Sequence, residues 1–231
     1  MNKKTYAPLL VLSLAISSPS FAHSLEDAEA VLHERERYAQ FVDQPAPAFA
    51  LTDVDGNAVT SSDLEGQVVV LNFIYTRCQE ACPLHMNLIA QVQDSVNESG
   101  LRDEVEFITI ATDTEDVGST RNNMRAYGEN FGFDLSNWRF LYRDEGEPTD
   151  TTRLLAETYG LKFTEVTEGV QLHGVVTHVI DQSGRMRARF HGLAFDPDHL
   201  VSYARVLAEG PETITTSTWD RLRHYVTNIF N

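Results

Sequence analysis

The chain has 231 residues with 34 acidic and 18 basic side chains, a formal net charge of −16, 42% hydrophobic residues and only two cysteines. Acidity of this degree argues against a nucleic-acid or anionic-lipid partner, since either would be held by a basic face. The length suits one domain with extensions, large enough to bury a good core without a staple.

Residues 1–22 read as a secretory signal peptide. Lys3 and Lys4 precede the apolar run "APLLVLSLAISS", and Ser20 and Ala22 occupy the small positions before a cleavage point. The run is short for a bilayer span, and no cysteine lies near it to carry a lipid. Cleavage would leave His23 first and move the net charge from −16 to −18, because the segment holds Lys3 and Lys4 and no acidic residue. No later apolar run is long enough to span a membrane. The expected product is soluble and periplasmic, or otherwise secreted. In such a compartment two thiols join unless they are reduced or ligated.

The mature chain opens with "SLEDAEAVLHERERYAQF", predicting a charged, exposed helix over 24–41 within an N-terminal helical extension, 23–44. Pro45 and Pro47 break that helix, and "DVDGNAV" predicts a hairpin turn with Gly56 at its tip. "VVVLNFIYT" (68–76) is continuously apolar and rich in β-branched residues, the pattern of a strand buried on both faces. "PLHMNLIAQVQDSV" follows with helical period, placing Leu84, Leu88, Ile89 and Val92 on one side and Pro83 in the first turn. "VEFITIATD" (105–113) predicts a second buried strand, "STRNNMRAYGENFG" a helix, "WRFLYRD" (138–144) a third strand and "TDTTRLLAETYGL" another helix. "VVTHVIDQSGRMRARFHG" (175–192) predicts two strands about a tight turn. "DPDHLVSYARVLAEG" predicts a helix capped by Asp196 and stopped by Gly210.

This order implies an α/β fold, a thioredoxin-like sandwich with a central mixed sheet flanked by helices, occupying 45–210 and opened by the N-terminal hairpin. The tail, 211–231, is a C-terminal helical extension. Ser217 and Asp220 can form a capping box, and Trp219, Leu222, Val226 and Ile229 recur at helical spacing. That face suits packing on its own domain or on a partner.

Cys78 and Cys82 stand where the first buried strand ends and a helix begins. Four residues of helical rise would separate them by roughly 6 Å, so the loop must adjust to bring the sulfurs together. A pair able to approach and separate suits reversible redox chemistry or metal capture, and a helix N-terminus favours thiolate. A structural bridge closing so small a loop would add little stability.

"FIYTRCQEACP" resembles the Sco (SenC) family of copper chaperones, in which an apolar strand leads into Thr-x-Cys-x-x-x-Cys-Pro. The resemblance extends from about Phe49 to Gly210, through "FALTDVDGNAVTSSDLEGQVVVLNF" and "FITIATD" to "LHGVVTHVIDQSG". It implies a copper ion, Cu(I) or Cu(II), held by Cys78, Cys82 and His173, the last in the loop before a strand that runs into an Asp-x-x-Gly turn. It also implies delivery of copper to, or reduction of the cysteines of, the copper centre of a respiratory oxidase in cytochrome c oxidase assembly. The partners would be an oxidase copper-site subunit, or another copper or thiol client, and a thiol reductant. The sequence departs from the family in lacking a proline after Asp113, in Gly174 after His173, and in His178 where an aromatic is usual. Two thiolates independently suit soft Cu(I), and an added imidazole suits Cu(II).

The rival reading is a metal-free thiol–disulfide oxidoreductase or redoxin using Cys78 and Cys82 as its redox pair. Against it, no proline lies between Pro148 and Pro197 to supply a cis-proline facing the cysteines. Among the remaining candidates, His85 is expected at the surface, with a fourth or substitute ligand as the alternative, Met86 and His178 in packing, with ligation as the alternative for His178, and Glu80 as a solvated loop charge that could tune the thiols. His23 could bind Cu(II) through its amine and ring. His33, His191, His199 and His224 belong to no constellation. A copper sensor shares every one of these features, and neither the client nor the oligomeric state is written in the pattern.

Overall fold

The computed structural model describes residues 25–167 and 170–209, with the side chains of 165–173 excluded. The signal segment, His23, Gly210, the tail and His224 lie outside the described residues.

The uninterrupted apolar runs form the middle of an eight-stranded mixed sheet. β4 (Val68–Ile74) and β5 (Val105–Ala111) are buried at every position and pair in parallel, and β6 (Trp138–Tyr142) extends that block. β9 (Val176–Ile180) runs antiparallel on the other side of β4 and is followed by β10 (Arg185–His191). The hairpin of β2 (Ala50–Asp53) and β3 (Ala58–Thr60) flanks β6, with Gly56 at its turn at a φ of 92°. The full order is β1-β10-β9-β4-β5-β6-β2-β3, with β1 formed by Ala39–Pro45.

Strand alternation divides the core. Val68, Val70, Ile74, Phe107, Trp138, Phe140, Val179 and Phe190 face α1 (Leu25–Arg35), α2 (Ala81–Glu98), α3 (Val117–Phe131) and α5 (Pro197–Glu209). Val69, Leu71, Phe73, Ile108, Ile110 and Leu141 face α4 (Thr151–Thr158) and the hairpin. Each CH₂ so buried contributes about 0.8 kcal/mol. The helix ends follow local chemistry. The Asp116 carboxylate accepts from the Ser119 amide at 2.9 Å to start α3, and Gly132 ends it in the left-handed region at a φ of 68°. Asp196 Oδ1 likewise accepts from the Asp198 amide at 3.0 Å before α5.

Two expectations are corrected, and one element is new. The helix expected over 24–41 ends at Arg35, and Ala39–Pro45 instead form β1, an edge strand antiparallel to β10. The 23–44 helical extension is therefore part helix and part sheet. Here sheet pairing outweighs local helical preference, and Pro45 is tolerated because it lies on an edge. In α2 the buried stripe runs through Cys82, His85, Met86, Ile89, Val92 and Val96, while Leu84 is 59% exposed. A second sheet, unforeseen from the pattern, consists of β7 (Phe163–Thr167) and β8 (Val170–His173).

Candidate metal and thiol site

β4 and β5 are parallel, so both end at one edge of the sheet, and antiparallel β9 begins there. Beyond β4 the chain turns: the Cys78 amide donates to the Tyr75 carbonyl at 3.0 Å, and α2 starts at Ala81. Pro83 falls in the first helical turn, where its missing N–H costs nothing. The turn brings the two cysteines together as unbridged thiols, with the Cys82 amide directed at Cys78 Sγ at 3.5 Å.

Their environments differ. Cys78 is half-buried. Burial opposes its ionisation, but the amides of Cys82, Glu80 and Ala81 and the Cys82 thiol outweigh burial and hold its pKa below the ordinary value. Cys82 is 4% exposed, and its pKa is pushed up to about 12, first by burial and then by the negative charges of Cys78 and Asp113. The first proton therefore leaves Cys78.

The loop is braced from below. Asp113, just beyond β5, is buried and accepts from the Thr76 amide at 3.0 Å and from Thr76 Oγ1 at 2.5 Å, while Asn123 on α3 donates to Thr76 Oγ1 at 3.0 Å. Burial raises the Asp113 pKa against the lowering effect of those Thr76 bonds. Arg77 pairs with Glu115 and donates to Tyr75 Oη at 2.9 Å, and Arg143 fixes the Glu115 carbonyl at 2.7 Å. Tyr127 reaches the Cys78 carbonyl at 3.5 Å. A cleft of about 420 Å³ between this loop and α3 is lined by Cys78, Arg77, Asn123, Tyr127 and Phe131 among others. Sequence reasoning missed the supporting roles of Thr76, Asn123 and Tyr127. Only Asp113, an acidic residue two positions beyond a buried strand, left a local signal.

His173 closes β8 rather than sitting in a loop, opposite Phe163, and only Gly174 and Val175 separate it from β9. Its backbone thus approaches the sheet edge from which the cysteine turn departs; its side chain lies outside the described residues. Among the described residues no three His, Cys, Asp or Glu side chains are grouped to hold a metal. The paired sulfurs, one of them favouring thiolate, fit a soft cation as two of its ligands.

The other histidines fall elsewhere. The expectation of a surface His85 is corrected: it is 1% exposed, with Nε2 2.8 Å from Thr177 Oγ1. His178 is fully buried on the opposite face, edge-on to Phe73 and Tyr159, with Nε2 3.2 Å from the Tyr159 carbonyl. Burial lowers its pKa to about 4. His199 contacts Glu36 at 3.0 Å, His191 approaches Gln40 at 3.4 Å, and His33 is exposed. Met86 is in the core, where its sulfur accepts from Asn72 Nδ2 at 3.3 Å. Glu80 is exposed at the start of α2. No cis peptide occurs among the described residues, and none of their helices is long and apolar enough to cross a membrane.

Residues 38–208 match the family model described as SCO1/SenC. The SCO1 protein homolog of Bacillus subtilis is 25% identical over 155 residues, covering 67% of this chain and 78% of that protein. The thiol-disulfide oxidoreductase ResA of Bacillus thuringiensis is 29% identical over 123 residues, covering 53% of this chain and 62% of the relative. The structure of Bradyrhizobium japonicum ScoI with copper bound superimposes with a TM-score of 0.56 at 25% identity, covering 71% of this chain and 99% of that one.

Proposed function

The chain belongs to the SCO1/SenC family, and we propose that it is an exported copper-binding protein that holds the ion with Cys78, Cys82 and His173. It would pass the copper to, or keep reduced the cysteines of, a respiratory oxidase copper centre. The observation that carries this reading is the contact of Cys78 with Cys82 at the sheet edge where β9 begins, three residues after His173. The similarity to a copper-bound ScoI supports it. Copper is the cargo. Two thiolates suffice for Cu(I), the imidazole adds the nitrogen that Cu(II) prefers, and binding releases the thiol protons. In an oxidising compartment a thiol reductant must supply two electrons whenever Cys78 and Cys82 have joined.

The test is anaerobic titration of the reduced protein with Cu(I) and Cu(II). One equivalent should bind, and thiolate-to-Cu(II) charge transfer should give strong visible absorption. His173→Ala should weaken Cu(II) sharply and Cu(I) less. Cys78→Ser/Cys82→Ser protein with unchanged stoichiometry and spectrum would place the site elsewhere.

The second reading is metal-free dithiol exchange. It is favoured by the inequality of the thiols, an activated Cys78 at the cleft and a protected Cys82, and by the similarity to ResA. Stopped-flow exchange with a small disulfide separates the two. Unchanged Cu(II) affinity in His173→Ala together with a large loss of exchange rate would favour the oxidoreductase.

A further inference from the structure

His85 follows Cys82 by one helical turn on the buried side of α2, and its contact with Thr177 Oγ1 joins this helix directly to β9. Thr177 is fully buried and is the cross-strand partner of Asn72 on β4. Asn72 donates to Met86 Sδ at 3.3 Å and accepts from Thr109 Oγ1 at 2.7 Å, and Thr109 accepts from Trp138 Nε1 at 2.9 Å. A row of buried polar groups therefore runs beneath α2 across β9, β4, β5 and β6, and the helix meets it at the residues three and four beyond Cys82.

Apolar side chains at these positions could hold the helix down as firmly, since packing is non-directional and desolvating polar groups costs free energy. They would set its rotation and height less closely. A hydrogen bond fixes both, because it weakens outside a narrow range of distance and angle. Of the strands in the row, β9 is the one reached from His173 through Gly174 and Val175.

We propose that His85 is a positioning residue: its hydrogen bond to Thr177 fixes the first turn of α2 against the start of β9, and so sets the cysteine pair relative to the chain that carries His173. Its consequence for copper rests on the proposed ligand set. Its consequence for the thiols does not.

The test uses the reduced, full-length protein with His85→Ala, His85→Gln, Thr177→Val and the double variant His85→Ala/Thr177→Val. Val92→Ala, also on α2 and fully buried, serves as a control for lost packing. In the metal-free arm, iodoacetamide labelling is followed by mass spectrometry beside urea unfolding. Cutting the bond should let the first turn open locally and raise the Cys82 rate about tenfold, with Cys78 little changed. Glutamine, whose amide can reach the same hydroxyl, should restore slow labelling, and the double variant should be no faster than either single one. Val92→Ala should leave the Cys82 rate unchanged at comparable loss of global stability. In the copper arm, His85→Ala and Thr177→Val should each weaken Cu(II) and shift its charge-transfer band while sparing Cu(I).

A Cys82 rate that follows urea stability across all variants, Val92→Ala included, would reduce His85 to ordinary packing and overturn the proposal. Loss of Cu(II) in His85→Gln with none in Thr177→Val would make His85 a ligand and overturn it as well. If the wild type binds no copper, the copper reading fails, and the labelling arm alone decides the positioning role.

Discussion

Thr76 is clamped to Asp113 twice, through its amide at 3.0 Å and its hydroxyl at 2.5 Å, and Thr76 stands two residues before Cys78. The end of β4 is thereby fastened to the end of β5 immediately below the cysteine turn, and a buried carboxylate is held in place to do it.

Asp113 should betray its burial through pH. Its folded pKa is raised above the unfolded value, chiefly by desolvation. The folded state therefore takes up the proton first as pH falls, and the stability linked to this group is greatest below the ordinary carboxylate pKa and lost as pH rises through the folded one. In urea unfolding, wild type minus Asp113→Asn should accordingly favour the wild type more at pH 5 than at pH 7. The opposite trend would mean that Asp113 is stabilised as the charged form. Asp113→Ala removes both Thr76 bonds and should cost about 2–3 kcal/mol at either pH.

Labelling should be sharply unequal in the two thiols. Cys78 is the more exposed and more acidic, whereas Cys82 is nearly inaccessible with a pKa pushed up to about 12. At pH 7 iodoacetamide should modify Cys78 at least about tenfold faster, since only the thiolate attacks. Peptide mapping after brief labelling reads the ratio, and equal labelling would contradict the geometry at Cys82.

His178 predicts an acid limb in the stability curve. Its pKa is lowered from 6.5 to about 4, first by burial. The unfolded chain binds this proton before the folded one, so stability falls as pH drops from 6.5 towards 4. The full cost at low pH is roughly 3 kcal/mol, at 1.36 kcal/mol per pKa unit. His178→Phe, which keeps an aromatic ring beside Phe73 and Tyr159, should flatten that limb while leaving stability near pH 8 changed by less than about 1.5 kcal/mol. An unaltered limb would assign it to other groups.

Oxidation should abolish tight copper binding. Joining Cys78 to Cys82 removes both thiolates, and a disulfide sulfur is a poor ligand. The check is a copper titration of fully oxidised protein verified by mass, followed by reduction and a second titration. Tight binding before reduction would count against the cysteines as ligands.

Much of this was legible along the chain because it is local. Burial on both faces is written in the runs 68–74 and 105–111, where no polar period interrupts the apolar residues beyond what a central strand tolerates. Pro83 placed the helix start, and Asp196 and Pro197 placed α5. Less legible were elements defined by their partners. Residues 39–41 read as the end of a helix because the edge pairing of β1 is with β10, which lies far along the chain. The alternation in "FTEVT" and "VQLH" is a strand signal, but so short a hairpin is overlooked beside the long core strands.

By itself, the sequence determined the chemistry on offer: two sulfurs four residues apart at a strand-to-helix turn, a downstream histidine before a β-hairpin, and a sheet core able to hold them. Spacing along one segment is enough for the sulfurs, and the resemblance to the family singled out the histidine. Only the tertiary structure made the sulfurs unequal, because desolvation at Cys82 and amide donation to Cys78 arise from the folded turn and the core packed about it. It also took His85 from the surface to the interior. A histidine on a helix is buried or exposed according to what lies opposite, and Thr177, 92 residues away, becomes its neighbour only when β9 pairs with β4.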